Sequence, residues 1–154
     1  MKAVIQRCHR AQVAVDGKIV SSIEKGLVIF LGIARDDDES CAMRLAKKVS
    51  SLRIFDDEQG KFNFSLQNLS LEALVISNFT LCGETRKGTR PNFGAAAGAE
   101  AANRLYESFA KLLGEQNIAV QTGVFAADME VAVVNDGPVT LILEVESEVK
   151  TALT

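Results

Sequence analysis

The chain has 154 residues, 47% of them hydrophobic and 24% charged, which allows one domain with a substantial core and is ordinary for a soluble globular protein. Its net charge of −3 argues against broad, non-specific nucleic-acid binding, which wants a basic surface, and leaves room only for a local basic patch. Three widely spaced cysteines without a Cys-x-x-Cys pair and a single histidine suggest neither a disulfide frame nor a metal site, and there is no apolar run of the roughly 18 residues that a membrane span needs. The expectations are therefore a cytoplasmic protein with no metal, no cofactor and no membrane partner.

In chain order, residues 2–7 read as a strand, and residues 12–15 and 18–20 flank Asp16-Gly17, a two-residue hairpin signal of the type I′ kind. Residues 27–33 form a continuous apolar run of strand length, consistent with a central strand buried on both faces. Asp36 is then a candidate helix cap, with Glu39 completing a capping box, and Ala42, Leu45, Ala46 and Val49 follow at helical spacing to about Ser50. A strand from Leu52 to Phe55 leads into the polar turn 56–60, and residues 73–80 form another buried strand. The stretch from Cys82 to Gly98 is too long for a tight connection, and loops of that length in a compact domain tend to be functional. Ala102, Leu105, Tyr106, Phe109, Leu112 and Leu113 share one face of a second helix, which Gly114 can close. Strands at 118–125, 129–135 and 139–145 complete the pattern, with Asn135-Asp136-Gly137-Pro138 as a turn between the last two. The order suggests an α/β fold of layered mixed sheets with two helices packed on them, in a single domain of residues 1–146. Residues 147–154 form a tail expected to be mobile in part.

Three stretches could carry chemistry. Ser77-Asn78-Phe79-Thr80 places two hydroxyls and an amide at the end of a strand that should be apolar, and buried polar groups need partners. A Ser-His-Asp reading fails, because there is no Gly-x-Ser-x-Gly elbow and the lone His9 follows Cys8 at the end of an unrelated strand. Backbone N–H groups near Asn78 and Phe79 are better candidates for stabilising an oxyanion. The second stretch, Thr85 to Pro91, puts Arg86, Lys87 and Arg90 on one loop, where Lys47, Lys48 and Arg53 could join them against a phosphate backbone. The third, Gly123 to Met129, holds Phe125 and Met129, which either join the core or line a pocket for a base or side chain.

The ordered set Met1-Lys2-Ala3-Val4-Ile5-Gln6-Arg7, Leu52-Arg53-Ile54-Phe55, Ser77-Asn78-Phe79-Thr80-Leu81, Lys87-Gly88-Thr89-Arg90-Pro91-Asn92-Phe93, Ala127-Asp128-Met129 and Asn135-Asp136-Gly137-Pro138-Val139-Thr140 resembles the D-aminoacyl-tRNA deacylase family over nearly the whole chain. The resemblance implies a homodimer of layered α/β subunits, a partial barrel with two helices, that hydrolyses the ester joining a D-amino acid, or glycine mischarged on the alanine tRNA, to the 3′-terminal adenosine. It implies that Gly137-Pro138 is a cis dipeptide reaching into the partner's site to exclude an L side chain, with Arg7 helping to hold it. It places Ser77, Asn78, Phe79 and Thr80 in the catalytic site, with amides of Phe79 and Thr80 on the oxyanion and the substrate's own 2′-hydroxyl assisting a water. Phe125, Met129 and Asn135 are implied on the substrate and adenosine side, and Arg86, Lys87 and Arg90 on the tRNA backbone. The chain departs from the family in having Asn78 for the usual Gln and Ala126 for the usual Gly. The alternatives are a deacylase of broader or altered specificity and a non-catalytic tRNA-binding dimer.

Overall fold

The computed structural model describes residues 1–148. Eight strands and two helices run β1 (Lys2–Val15), β2 (Lys18–Ile23), β3 (Gly26–Gly32), α1 (Glu39–Ser51), β4 (Arg53–Asp56), β5 (Phe62–Ser65), β6 (Glu72–Ser77), a 3-10 turn (Phe79–Cys82), α2 (Ala99–Gly114), β7 (Ala119–Thr122) and β8 (Glu130–Glu144). The main sheet has the order β2-β1-β3-β6-β7, with β8 also pairing β1, while β4 and β5 form a separate hairpin. Strand β1 is one long ribbon, paired with β3 through its first half, with β2 through its second and with β8 along both. Parallel pairing of β3 with β6 and of β6 with β7 continues the sheet.

Alternation along these strands builds two cores. Ala3, Ile5, Leu27, Ile29, Leu31, Ala73 and Val75 face the helices, meeting Ala42, Leu45 and Val49 of α1 and Leu105, Tyr106, Phe109 and Leu113 of α2. The opposite face of the same strands carries Cys8, Ala11, Val13, Val28, Leu74 and Ile76, over which Met129, Val131 and Val133 close. The sheet is thus curled on itself, nearly a barrel, with both helices outside. Residues of β3 and β6 are buried on both faces, which is why their sequences are continuous apolar runs.

The Asp16-Gly17 hairpin forms with φ of 49° and 73° at the two positions, the signature of the turn its sequence indicates. Several expectations are corrected. The cap of α1 is Asp38, whose side chain accepts from Cys41 N–H at 2.9 Å and is thereby held below the usual carboxylate range, while Asp36 lies before it. Glu39 completes no capping box and instead pairs with Arg104 of α2 at 2.8 Å. The strand expected to reach residue 80 stops at Ser77, because the chain turns into the 3-10 helix, and the strand expected at 118–125 is shortened to Ala119–Thr122. Residues 129–135 and 139–145 are not two strands but the continuous β8, and β5 is a strand that the sequence reading passes over.

Ser147 is buried and its hydroxyl donates to Asp38 at 3.2 Å, so the described start of the tail is packed down; the rest of the expected mobile segment, 149–154, lies outside the described residues. No described helix is long and apolar enough to cross a membrane.

Candidate active site

The parallel ladder of β3 and β6 ends where Asn78 N–H donates to Leu31 O at 2.8 Å. The chain then tightens into the 3-10 turn, whose first intrahelical bond runs from Leu81 N–H to Asn78 O at 3.3 Å. Phe79 and Thr80 precede that bond, so their N–H groups are the ones such a turn leaves without an internal acceptor. Gly32 permits the arrangement, since a Cβ there would lie 2.8 Å from Leu81 Cβ and 3.1 Å from Asn78 O.

In front of this turn is a cavity of about 630 Å³. One wall is Ser77, Asn78, Phe79 and Thr80, and the facing wall is the segment from Phe125 to Met129 with Val131. That facing segment is hung from β6, because Val75 O accepts from both Gly123 N–H at 3.0 Å and the Tyr106 hydroxyl at 2.9 Å. Burial pushes the Tyr106 hydroxyl up to about 12, so it stays a neutral donor, and its ring lies 5.9 Å from that of Phe125. Gly123 leaves space for Met129, whose Sδ would be 2.6 Å from a Cβ at position 123.

Ala126 has φ of 60°, the left-handed region, in which a side chain costs about 1 kcal/mol or more. Ala126→Gly is therefore expected to raise stability, by up to about 1 kcal/mol after the entropy of the added glycine in the unfolded chain is counted, as read by thermal unfolding.

The floor of the cavity is a feature missing from the sequence reading. Ala96, Ala97, Ala99 and Ala102 line it, together with Phe30, Leu31 and Ile33 from the end of β3. Ala99 and Ala102 lie on the same stripe of α2 as Tyr106 and Phe109, so the helix face that fills the core with large side chains leaves a void where its residues become small. The signal was present as the run from Gly94 to Ala102, which reads on composition as an ordinary helix start.

Ser77, Asn78, Phe79, Thr80, Phe125 and Met129 are thus brought together from two segments. The Thr80 hydroxyl donates to Asn78 Oδ1, so the two polar side chains of the turn engage each other. His9 is exposed, pairs with Asp136 and does not line the cavity, so no imidazole stands beside Ser77 or Thr80.

Gly137 and Pro138 are not in that cavity. Gln6 pairs with Thr140 and Cys8 with Asn135, so the four residues 136–139 of β8 stand opposite Arg7 alone and must bulge out of the ladder. This is why a proline can sit in mid-strand without costing the sheet a donor. The Gly137-Pro138 bond is cis, Gly137 has φ of 122°, and both residues are exposed. Asn135 is also outside the cavity: its amide donates to Thr140 Oγ1 at 3.0 Å and accepts from Val139 N–H at 3.3 Å, clasping the base of the bulge. Arg7 lies beneath, with Nε 3.1 Å from Asp136 Oδ2, an ion-pair distance without hydrogen-bond alignment.

The basic loop is separate again. Glu84 and Asn92 close it with two backbone hydrogen bonds of 2.8 and 2.9 Å, and Arg86, Lys87 and Arg90 are exposed, Arg86 pairing with Glu84 at 3.1 Å. Phe93 at its base packs on Phe79 with ring centroids 5.1 Å apart, which joins the loop to the cavity rim. Arg53 is occupied elsewhere, donating to Asn63 O across the β4–β5 hairpin at 2.7 Å.

Comparison with known proteins gives this arrangement a family. A D-aminoacyl-tRNA deacylase of Caldicellulosiruptor saccharolyticus is 54% identical over 94% of this chain and 97% of that protein. One of Carboxydothermus hydrogenoformans is 50% identical over 94% of this chain and all of that protein. Among solved structures, a c-Myc DNA unwinding element binding protein superposes with a TM-score of 0.90 at 38% identity, covering 96% of this chain and 100% of that one. A probable eukaryotic D-amino acid tRNA deacylase, at 14% identity and a TM-score of 0.81, shares the fold. The profile of the family described as D-Tyr-tRNA(Tyr) deacylase matches residues 4–144, a span that takes in the cavity, the 3-10 turn and the bulge, and the chain belongs to that family.

Proposed function

We propose that this protein hydrolyses the ester of D-aminoacyl-tRNA, releasing the D-amino acid and tRNA, and that it does so in the cytoplasm as a homodimer of a single domain, residues 1–146. Water adds to the ester carbonyl, the bond to the 3′-oxygen breaks, and the proton from the water ends on that oxygen. The leading amides of the turn, at Phe79 and Thr80, hold the oxyanion, where two oriented donors contribute most as charge develops. The adenosine 2′-hydroxyl assists the water, and Phe125 and Met129 face the terminal nucleoside and the aminoacyl group. The paired side chains of Asn78 and Thr80 shape the turn and supply no nucleophile.

The observation that carries the reading is the Gly137-Pro138 bulge: exposed, held by Arg7 and Asn135, and outside its own subunit's cavity. A rigid backbone wall of this kind belongs in a second copy's site, where it leaves room for hydrogen but not for an L side chain at the substrate's α-carbon. Glycine has no side chain there, so glycyl-tRNA is accepted as well. The outer part of β8 presents Val134, Leu141 and Ile142, the last 68% exposed, as apolar surface for the second subunit to cover. Lys87 and Arg90 then contact the phosphate backbone.

The purified protein should deacylate D-Tyr-tRNA and Gly-tRNA and spare L-Tyr-tRNA, in a timed assay of remaining esterified tRNA. Equal rates on the two enantiomers would sink the proposal. Thr80→Ala is expected to retain turnover within about tenfold, the range of one supporting hydrogen bond. Its complete inactivation, with the fold intact, would make Thr80 a nucleophile instead.

A further inference from the structure

Arg7 is buried, at 5% exposure, and burying a guanidinium is costly unless it is neutralised and hydrogen-bonded. One partner set would suffice. The β4–β5 hairpin supplies it, with Nη1 donating to Ile54 O at 2.7 Å and lying 3.1 Å from Asp56 Oδ2, and with the Phe62 ring 5.6 Å from the guanidinium carbon. The hairpin is itself fixed, because Ile54, Phe55 and Leu66 are buried in the core. A second carboxylate nevertheless approaches from the other side: Asp136, 20% exposed, at 3.1 Å from Nε. Asp136 is on the bulge, immediately before Gly137, and a Cβ on Gly137 would lie 3.4 Å from Arg7 Nη2. The guanidinium therefore bridges a rigid mount and the Gly-Pro bulge, a task for which a fork of several donors suits arginine better than lysine.

We propose that Asp136 and Asp56 are positioning residues that act through Arg7 to fix the Gly137-Pro138 wall, and so determine how strongly an L-aminoacyl ester is rejected. The proposal rests on the deacylase reading. Neither carboxylate lines the catalytic cavity, so their effect falls on chirality and not on the turn that holds the oxyanion. A merely stabilising ion pair would instead change the thermal midpoint and leave the two enantiomers in their original ratio.

The test measures kcat/KM for D-Tyr-tRNA and L-Tyr-tRNA in the unmodified protein and in Asp136→Ala, Asp136→Asn and Asp56→Ala. Hydrogen exchange of the 135–140 backbone is followed in the same samples. Asp136→Ala should raise the L-to-D ratio at least tenfold and speed exchange of the bulge. Asp136→Asn, whose Oδ1 can still accept from the guanidinium, should lie between. Asp56→Ala, which removes the carboxylate of the mount and leaves the Ile54 carbonyl and the bulge contact, gives a second reading should Asp136→Ala fold poorly. A ratio within twofold of the unmodified protein in a folded variant, or equal loss on both esters, overturns the selectivity role. Failure of the unmodified protein to distinguish the enantiomers would sink the deacylase reading itself; faster exchange in Asp136→Ala would still uphold the clamp on the bulge, and unchanged exchange would overturn that too.

Discussion

Replacing Gly137 with alanine is expected to cost the protein its hydrolytic activity on D-aminoacyl esters, by about 100-fold, the scale of a 1 Å misplacement at a reacting centre. At φ of 122° an L residue is strained, at a cost of about 1–3 kcal/mol. The new Cβ would also stand 2.8 Å from Val139 Cγ2 and 3.0 Å from Val139 N. Neither neighbour can step aside cheaply, because the Val139 amide is tied to Asn135 and the next residue, Thr140, resumes the ladder with Gln6. The bulge must therefore re-form, and the wall it presents moves. Steady-state kinetics on D-Tyr-tRNA, with thermal unfolding as the companion measurement, gives the result. Activity within a few fold of the unmodified protein would mean that the bulge does not meet the substrate.

The second large effect is expected from filling the cavity. Ala102 lies on its floor, and Ala102→Phe should put a ring into space that the substrate needs. A loss of at least about 100-fold in kcat/KM is expected, about 2.7 kcal/mol in transition-state stabilisation. Stability should be unchanged or slightly raised, since the added ring fills a void and displaces no core residue. Ala101→Phe is the control: Ala101 is exposed and does not line the cavity, so the same ring there should leave activity in place. Comparable losses in both variants would show that α2 tolerates no enlargement, and would remove the floor from the account.

Much of the fold could be read from patterns that are local. Asp16-Gly17 marks its hairpin because both positions need positive φ, and the unbroken apolar runs of β3 and β6 mark strands covered on both faces. The turn at the cavity was legible as a candidate site, since Ser77, Asn78 and Thr80 are polar where a buried strand should not be. Its geometry was not, because the change from strand to 3-10 helix depends on Gly32 in another strand. The four-residue β5 was too short to leave a periodic signal. Asn135-Asp136-Gly137-Pro138 reads as a turn by every local criterion, yet it is a bulge within one strand. What decides between the two is β1, which runs past on both sides of the bulge, and Arg7, which meets Asp136 from a position 129 residues away in sequence. The alanine floor was hidden for a related reason. A void is made by what surrounds it, and small side chains alone do not reveal that β3 and the 123–129 segment stand around them.

The central claim, that the bulge of one subunit completes the cavity of another, is tested most directly by mixing two inactive variants. Gly137→Ala keeps an open cavity with a displaced wall, and Ala102→Phe keeps the wall with a blocked cavity. After denaturation and refolding together in equal amounts, about half of the dimers should be mixed, each with one intact site, so the account predicts recovery of about a quarter of full activity on D-Tyr-tRNA. A mixture as inactive as its two parents, with dimers shown to have exchanged subunits, would contradict it.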